Sequence, residues 1–128
     1  MTQMLIICDD DNEVLGWYNT LRRLDLQANL VNSQQAPISL PDLHSYDVVT
    51  IDLGGTTENI KLCERVRPFV DGALLLFLHE ASDAELIAGY EAGADECIVK
   101  PLGERVLQAK LNSWEKCIRR FRIVSDDV

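Results

Sequence analysis

Asp9, Asp10, Asp52 and Lys100 are the residues of this chain whose types and placing could do chemistry on a phosphoryl group or a divalent cation. Asp9 and Asp10, with Asp11 behind them, follow the apolar run MLIIC (Met4 to Cys8). Asp52 closes the run DVVTI (Asp47 to Ile51), and Lys100, followed by Pro101, closes CIV (Cys97 to Val99). Oxygen ligands from one or two carboxylates, with waters filling the rest, are what Mg²⁺ favours. A lysine beside them supplies a point charge for a phosphoryl oxygen. Converging carboxylates repel one another, so they are stable together with a cation or a proton between them. Singly, each has an ordinary reading: Asp9 to Asp11 can cap a helix and favour its dipole, Asp52 can end a strand, and Lys100 can be a solvated charge. Their joint occurrence at the ends of separate apolar runs points to a shared site.

The elements that must position these residues are legible in the spacing of apolar side chains. MLIIC, ANLV (Ala28 to Val31), DVVTI, ALLLFL (Ala73 to Leu78) and CIV are apolar nearly throughout, as suits strands buried on both faces of a parallel sheet. Between them lie helical patterns. Val14, Leu15, Tyr18 and Leu21 form one stripe over Asn12 to Leu24, with Asp11 or Asn12 as N-cap. Pro41 keeps any helix between Ser39 and Ser45 short. A third helix is predicted from Asn59 to Arg67, ended by Pro68, and a fourth from Asp83 to Ala92, stopped by Gly93. In the last, Leu107, Leu111, Trp114, Ile118 and Phe121 recur in steps of four and three, a stripe longer than one short sheet covers. Alternating strand and helix predicts an α/β sandwich with right-handed crossovers, whose ligand chemistry belongs at the carboxyl ends of the strands.

Composition narrows the partners. A chain of 128 residues is one domain, too short for a two-domain enzyme. Its net charge of −9 repels nucleic acid and anionic membrane surfaces. Cys8, Cys63, Cys97 and Cys117 form no C-x-x-C pair and are expected to be buried thiols of a reducing compartment. No segment reads as a signal peptide, and no apolar run approaches the roughly 20 residues of a membrane span. The expectation is a soluble, cytoplasmic protein.

LIICDDDNE, YDVVTIDL and GYEAGADECIVKP together resemble the receiver domain of two-component response regulators over essentially the whole chain. The last segment is the most specific, with Gly89, Gly93, Ala94, Asp95, Lys100 and Pro101 all at the family spacing. The resemblance implies a flavodoxin-like (βα)5 three-layer sandwich around a five-stranded parallel sheet of order 2-1-3-4-5. It implies a receiver domain over 1–121, with 122–128 as a tail or the start of a linker to an output domain. Asp52 would accept a phosphoryl group from a histidine kinase, a phosphotransfer protein or a small phosphodonor. Mg²⁺ would be held by Asp9, Asp10, Asp52 and the backbone carbonyl of Gly54, and Lys100 would pair first with Asp52 and then with the phosphoryl group. Such a domain is a phosphoacceptor in signalling rather than an enzyme. The fourth helix, fifth strand and fifth helix, with Tyr90, Glu91, Asp95 and Arg105, read either as a homodimer surface or as a solvated face.

The chain departs from that family in specific places. Counting back from Lys100, Leu78 stands where a Thr or Ser hydroxyl is usual, and Cys97 where an aromatic is usual. Sliding Ser82 into the hydroxyl position would break the spacing to Gly89. His79 stands where a small residue is preferred, and reads either as a contact for the phosphoryl group or as an ordinary loop histidine. Gly54-Gly55-Thr56-Thr57 replaces the usual Pro-Gly segment, leaving Thr56 and Thr57 as the nearby hydroxyls. These departures keep open a degenerate receiver, a protein-binding module that works without phosphorylation. The D-L-G-G-T motif also resembles the phosphate hairpin of actin-like sugar kinases, but here it lies mid-chain before a helical pattern. A D-x-D phosphatase motif fails at Gly54, and a flavin binder lacks aromatic ring partners in the loops.

Overall fold

The computed structural model describes residues 2–10, 26–34 and 37–126, with side chains as far as residue 117. Its strands are β1 (Thr2–Cys8), β2 (Leu26–Asn32), β3 (Val48–Asp52), β4 (Ala73–His79) and β5 (Glu96–Lys100). All pair in parallel, in the order β2-β1-β3-β4-β5. This is the predicted flavodoxin-like sheet. Strands β1, β3 and β4 are buried along nearly their whole length, as their unbroken apolar runs require, while the edge strand β2 is half exposed.

Three α-helices are described: α1 (Thr56–Val66), α2 (Asp83–Glu91) and α3 (Glu104–Asp126). Short 3₁₀ segments occupy Leu40–Ser45, opened by Pro41, and Arg67–Phe69 around Pro68. The predicted helix over Asn12 to Leu24 lies outside the described residues. On one face of the sheet, Leu5, Ile7, Val49, Ile51, Leu74, Leu76 and Leu78 pack with Cys63 and Val66 of α1. On the other, Met4, Ile6, Cys8, Val48, Leu75, Phe77 and Ile98 pack with Leu107 and Leu111 of α3. Side-chain alternation along each strand thus feeds two separate cores, one per face.

Two expectations need correction. The third predicted helix begins at Thr56, not Asn59, because extended Gly55 serves as N-cap and both threonines enter the first turn. Cys8, Cys63 and Cys97 are buried as expected, but Cys117 is exposed on α3. Gly93 follows α2 at φ 113°, a conformation suited to glycine. α3 continues through residue 121 to Asp126. Among the described residues no helix is long and apolar enough to cross a membrane.

Candidate functional site

The carboxyl ends of β1, β3, β4 and β5 carry the predicted residues to one edge of the sheet. Parallel register sets Cys8 beside Asp52, Leu78 beside Val99 and His79 beside Lys100. Asp52 ends β3 with its side chain fully buried. From β5, the side chain of Lys100 crosses the ring of Phe77, with Nζ 4.9 Å from the ring centroid. It reaches both carboxylate oxygens of Asp52, at 3.0 Å to Oδ1 and 2.9 Å to Oδ2. A buried carboxylate is costly unless paired and hydrogen-bonded, and this ammonium meets both of its oxygens. Lys100 remains partly exposed, so the pair sits at an opening rather than deep in the core.

The loop after Asp52 is held by its neighbours. Gly54 N–H donates to Asp9 Oδ2 at 2.9 Å, linking the end of β1 to the loop after β3. Leu53 N–H donates to Asn59 Oδ1 at 2.7 Å, and Asn59 Nδ2 donates to Leu53 O at 3.2 Å and Phe77 O at 2.7 Å. Thr56 Oγ1 accepts from His79 N–H at 2.9 Å and donates to His79 O at 3.2 Å. These bonds clamp the first turn of α1 to the end of β4. The His79 ring lies in the opening, with Nε2 2.9 Å from Leu53 O and 3.9 Å from Asp52 Oδ1. Because a carbonyl only accepts, Nε2 carries the proton in that bond.

Asp10 follows Asp9 on the exposed rim. Asp9, Asp10 and Asp52 bring carboxylate oxygens to this edge, donors whose chemistry fits a hard divalent cation. Among the described residues no three acidic, His or Cys side chains are gathered tightly enough to grip one ion. The Asp9 carboxylate accepts from the Gly54 N–H, and that of Asp52 from the Lys100 ammonium.

No family model matches the chain. In sequence it is 27% identical over 122 residues to the transcriptional regulatory protein SpaR of Bacillus subtilis, covering 94% of this chain and 54% of SpaR. In structure it resembles a CheY-like response regulator receiver domain from Methanospirillum hungatei, with a TM-score of 0.74 and 18% identity over 94% of this chain and 98% of that one. Its relatives in sequence are response regulators, and its fold is that of CheY-like receiver domains. A response regulator from Burkholderia pseudomallei carrying a phosphorylated aspartic acid and a calcium ion shares the receiver fold, with a TM-score of 0.66 and 17% identity over 90% of this chain and 73% of that one. This receiver domain spans about half the length of the regulators it matches in sequence.

The departures noted in the sequence have definite places in the receiver domain. Leu78 is fully buried on the α1–α2 face, pointing away from Asp52 and into the core. Cys97 packs on the same face, under Gly89 of α2, where an added Cβ would come within 2.8 Å of Cys97 Sγ. Burial pushes the Cys97 thiol up to about 11, and burial together with Cys97 pushes Cys63 up to about 12. Ser82 is the N-cap of α2. Its Oγ accepts from Glu85 N–H at 3.2 Å and its own N–H donates to Glu85 Oε1 at 3.0 Å, a capping box that lowers the Glu85 pKa.

Asn59 was missed as a site residue. Its signal was an amide on the inward stripe, four and seven residues ahead of Cys63 and Val66, where an apolar side chain belongs. Phe77, the platform under Lys100, reads in sequence as one more apolar residue of β4.

Proposed function

We propose that this receiver domain accepts a phosphoryl group on Asp52 from a histidine kinase or phosphotransfer protein. The observation that carries this reading is a fully buried carboxylate at a strand end, bonded through both oxygens to a partly exposed lysine. An Asp52 oxygen attacks phosphorus as the bond from phosphorus to the donor's nitrogen or oxygen breaks. The electron pair leaves with the donor, which takes a proton from solvent. Lys100 balances charge throughout, since a phosphoryl group on a side chain brings up to about two negative charges. Catalysis on this reading is positioning plus electrostatics.

Mg²⁺ fits the donor set of Asp9, Asp10, Asp52 and the Gly54 carbonyl, and when bound would neutralise charge developing on the transferred group. The Asp9 bond to Gly54 N–H and the Asn59 bonds to Leu53 hold that part of the rim in shape. On this reading the protein acts in the cytoplasm, with residues 1–121 as the receiver and 122–128 as a tail or the start of a linker to an output domain. The surface of α2, β5 and α3, where Ile87, Tyr90 and Val106 are exposed, suits a second copy of the chain.

Incubation with Mg²⁺ and acetyl phosphate, followed by intact mass, tests the reading. The expected result is one added phosphoryl mass, absent in Asp52→Ala, with size-exclusion reporting whether oligomeric state changes. Absence of an adduct, together with no binding of beryllofluoride, would overturn it in favour of a phosphorylation-independent binding module.

A further inference from the structure

We infer that His79 binds the phosphoryl group, its Nε2–H leaving the Leu53 carbonyl to donate to a phosphoryl oxygen on Asp52. This rests on Asp52 being the phosphoacceptor. The ring is partly exposed at the opening, and its Nε2 stands 3.9 Å from Asp52 Oδ1. That is too long for a hydrogen bond to the carboxylate itself. It is near enough that an oxygen carried beyond Oδ1 comes within reach of Nε2.

Other side-chain donors around the acceptor are committed elsewhere. Lys100 already holds both Asp52 oxygens. The Thr56 hydroxyl is engaged with both backbone groups of His79, and Asn59 Nδ2 bonds two carbonyls. Leu78 faces the opposite core and carries no donor. The bond His79 makes now, 2.9 Å to Leu53 O, is one it can exchange, because Asn59 Nδ2 also donates to that carbonyl. A neutral carbonyl is a weaker acceptor than a phosphoryl oxygen, since hydrogen bonds to charged groups are roughly twice as strong as neutral ones. The exchange is therefore favourable once the phosphoryl group is in place.

Its consequence reaches past the acceptor. The His79 ring would let go of the loop carrying Gly54, while the His79 backbone stays clamped to Thr56 at the start of α1. Phosphorylation would then be read first as a loosening of the loop at Leu53 and Gly54.

The test uses the same chain labelled with ¹⁵N-histidine, with beryllofluoride and Mg²⁺ as the probe and acetyl phosphate for lifetimes. The His79 Nε2–H resonance should shift on adding beryllofluoride and stay put in Asp52→Asn. The acyl-phosphate half-life should fall roughly three- to tenfold in His79→Ala, the effect of losing one hydrogen bond of ordinary net strength. His79→Gln, which keeps an N–H donor, should retain a half-life near that of the parent. His79→Leu separates donation from bulk: a donor role makes it behave like His79→Ala, and a purely steric shield makes it behave like the parent, overturning the proposal. An adduct that forms with the His79 resonance and half-lives unmoved overturns this inference alone. Failure to form any adduct overturns the phosphoacceptor reading, and this inference with it.

Discussion

The ammonium of Lys100 lies 3.0 and 2.9 Å from the two oxygens of Asp52, a carboxylate with no exposed side-chain surface. The two partners are not equivalent, since Lys100 can reach water and Asp52 cannot. Removing the lysine strands a buried charge, whereas neutralising the aspartate leaves an ammonium that can hydrate. Lys100→Met should therefore lose about 1–3 kcal/mol in chemical denaturation. Asp52→Asn should cost less, and the double variant should regain part of the Lys100→Met loss. Equal losses from the two single variants would show that the pair does not have this asymmetry.

Asn59 satisfies one N–H and two carbonyls while being wholly buried, so its truncation leaves more than a cavity. Asn59→Ala should cost about 2–3 kcal/mol, the range for leaving buried polar groups unpaired. Phosphorylation by acetyl phosphate should also slow, because the Gly54 loop loses its anchor. Hydrogen exchange at the Leu53 amide is the direct readout. It should speed up in the variant while the amides of β1 stay protected.

Gly89 places two opposed effects at one position. Alanine favours a helix interior over glycine by up to about 1 kcal/mol, but a Cβ here would come within 2.8 Å of Cys97 Sγ and 3.2 Å of Leu76 Cδ2. Overpacking typically costs about 1–3 kcal/mol, so Gly89→Ala should destabilise the parent. In a Cys97→Ala background the nearest clash is gone, and the same change should be neutral or stabilising. A thermodynamic cycle over the four proteins measures the coupling.

The buried thiols make stability depend on pH in a known direction. Folded Cys63 and Cys97 titrate near 12 and 11, against an ordinary value of 9.0. Above 9.0 the unfolded thiols ionise first, so the unfolded state binds fewer protons and stability falls with rising pH. Their contribution is complete below 9.0 and is lost progressively toward those raised values. Urea midpoints at about pH 8.5 and about pH 10.5 should differ more in the parent than in a Cys63→Ala/Cys97→Ala variant. Native alkylation followed by peptide mapping should modify exposed Cys117 before the three buried cysteines.

Sequence alone determined the alternation of strand and helix and the delivery of Asp9, Asp52 and Lys100 to a common edge. Strands buried on both faces need unbroken apolar runs, and the polar residue that ends each run must stand at the rim. Only the tertiary structure decided what those residues touch. It set both Asp52 oxygens on Lys100 across the Phe77 ring, turned Leu78 into the opposite core, and gave Asn59 three backbone groups of Leu53 and Phe77 to bond. It also brought the His79 ring over Asp52 and tied the Thr56 hydroxyl to the His79 backbone. The contacts to Asp52 and Thr56 join residues more than twenty positions apart, so they depend on strand register and on the face each side chain takes. A one-residue slip would reverse the face while leaving composition and periodicity unchanged.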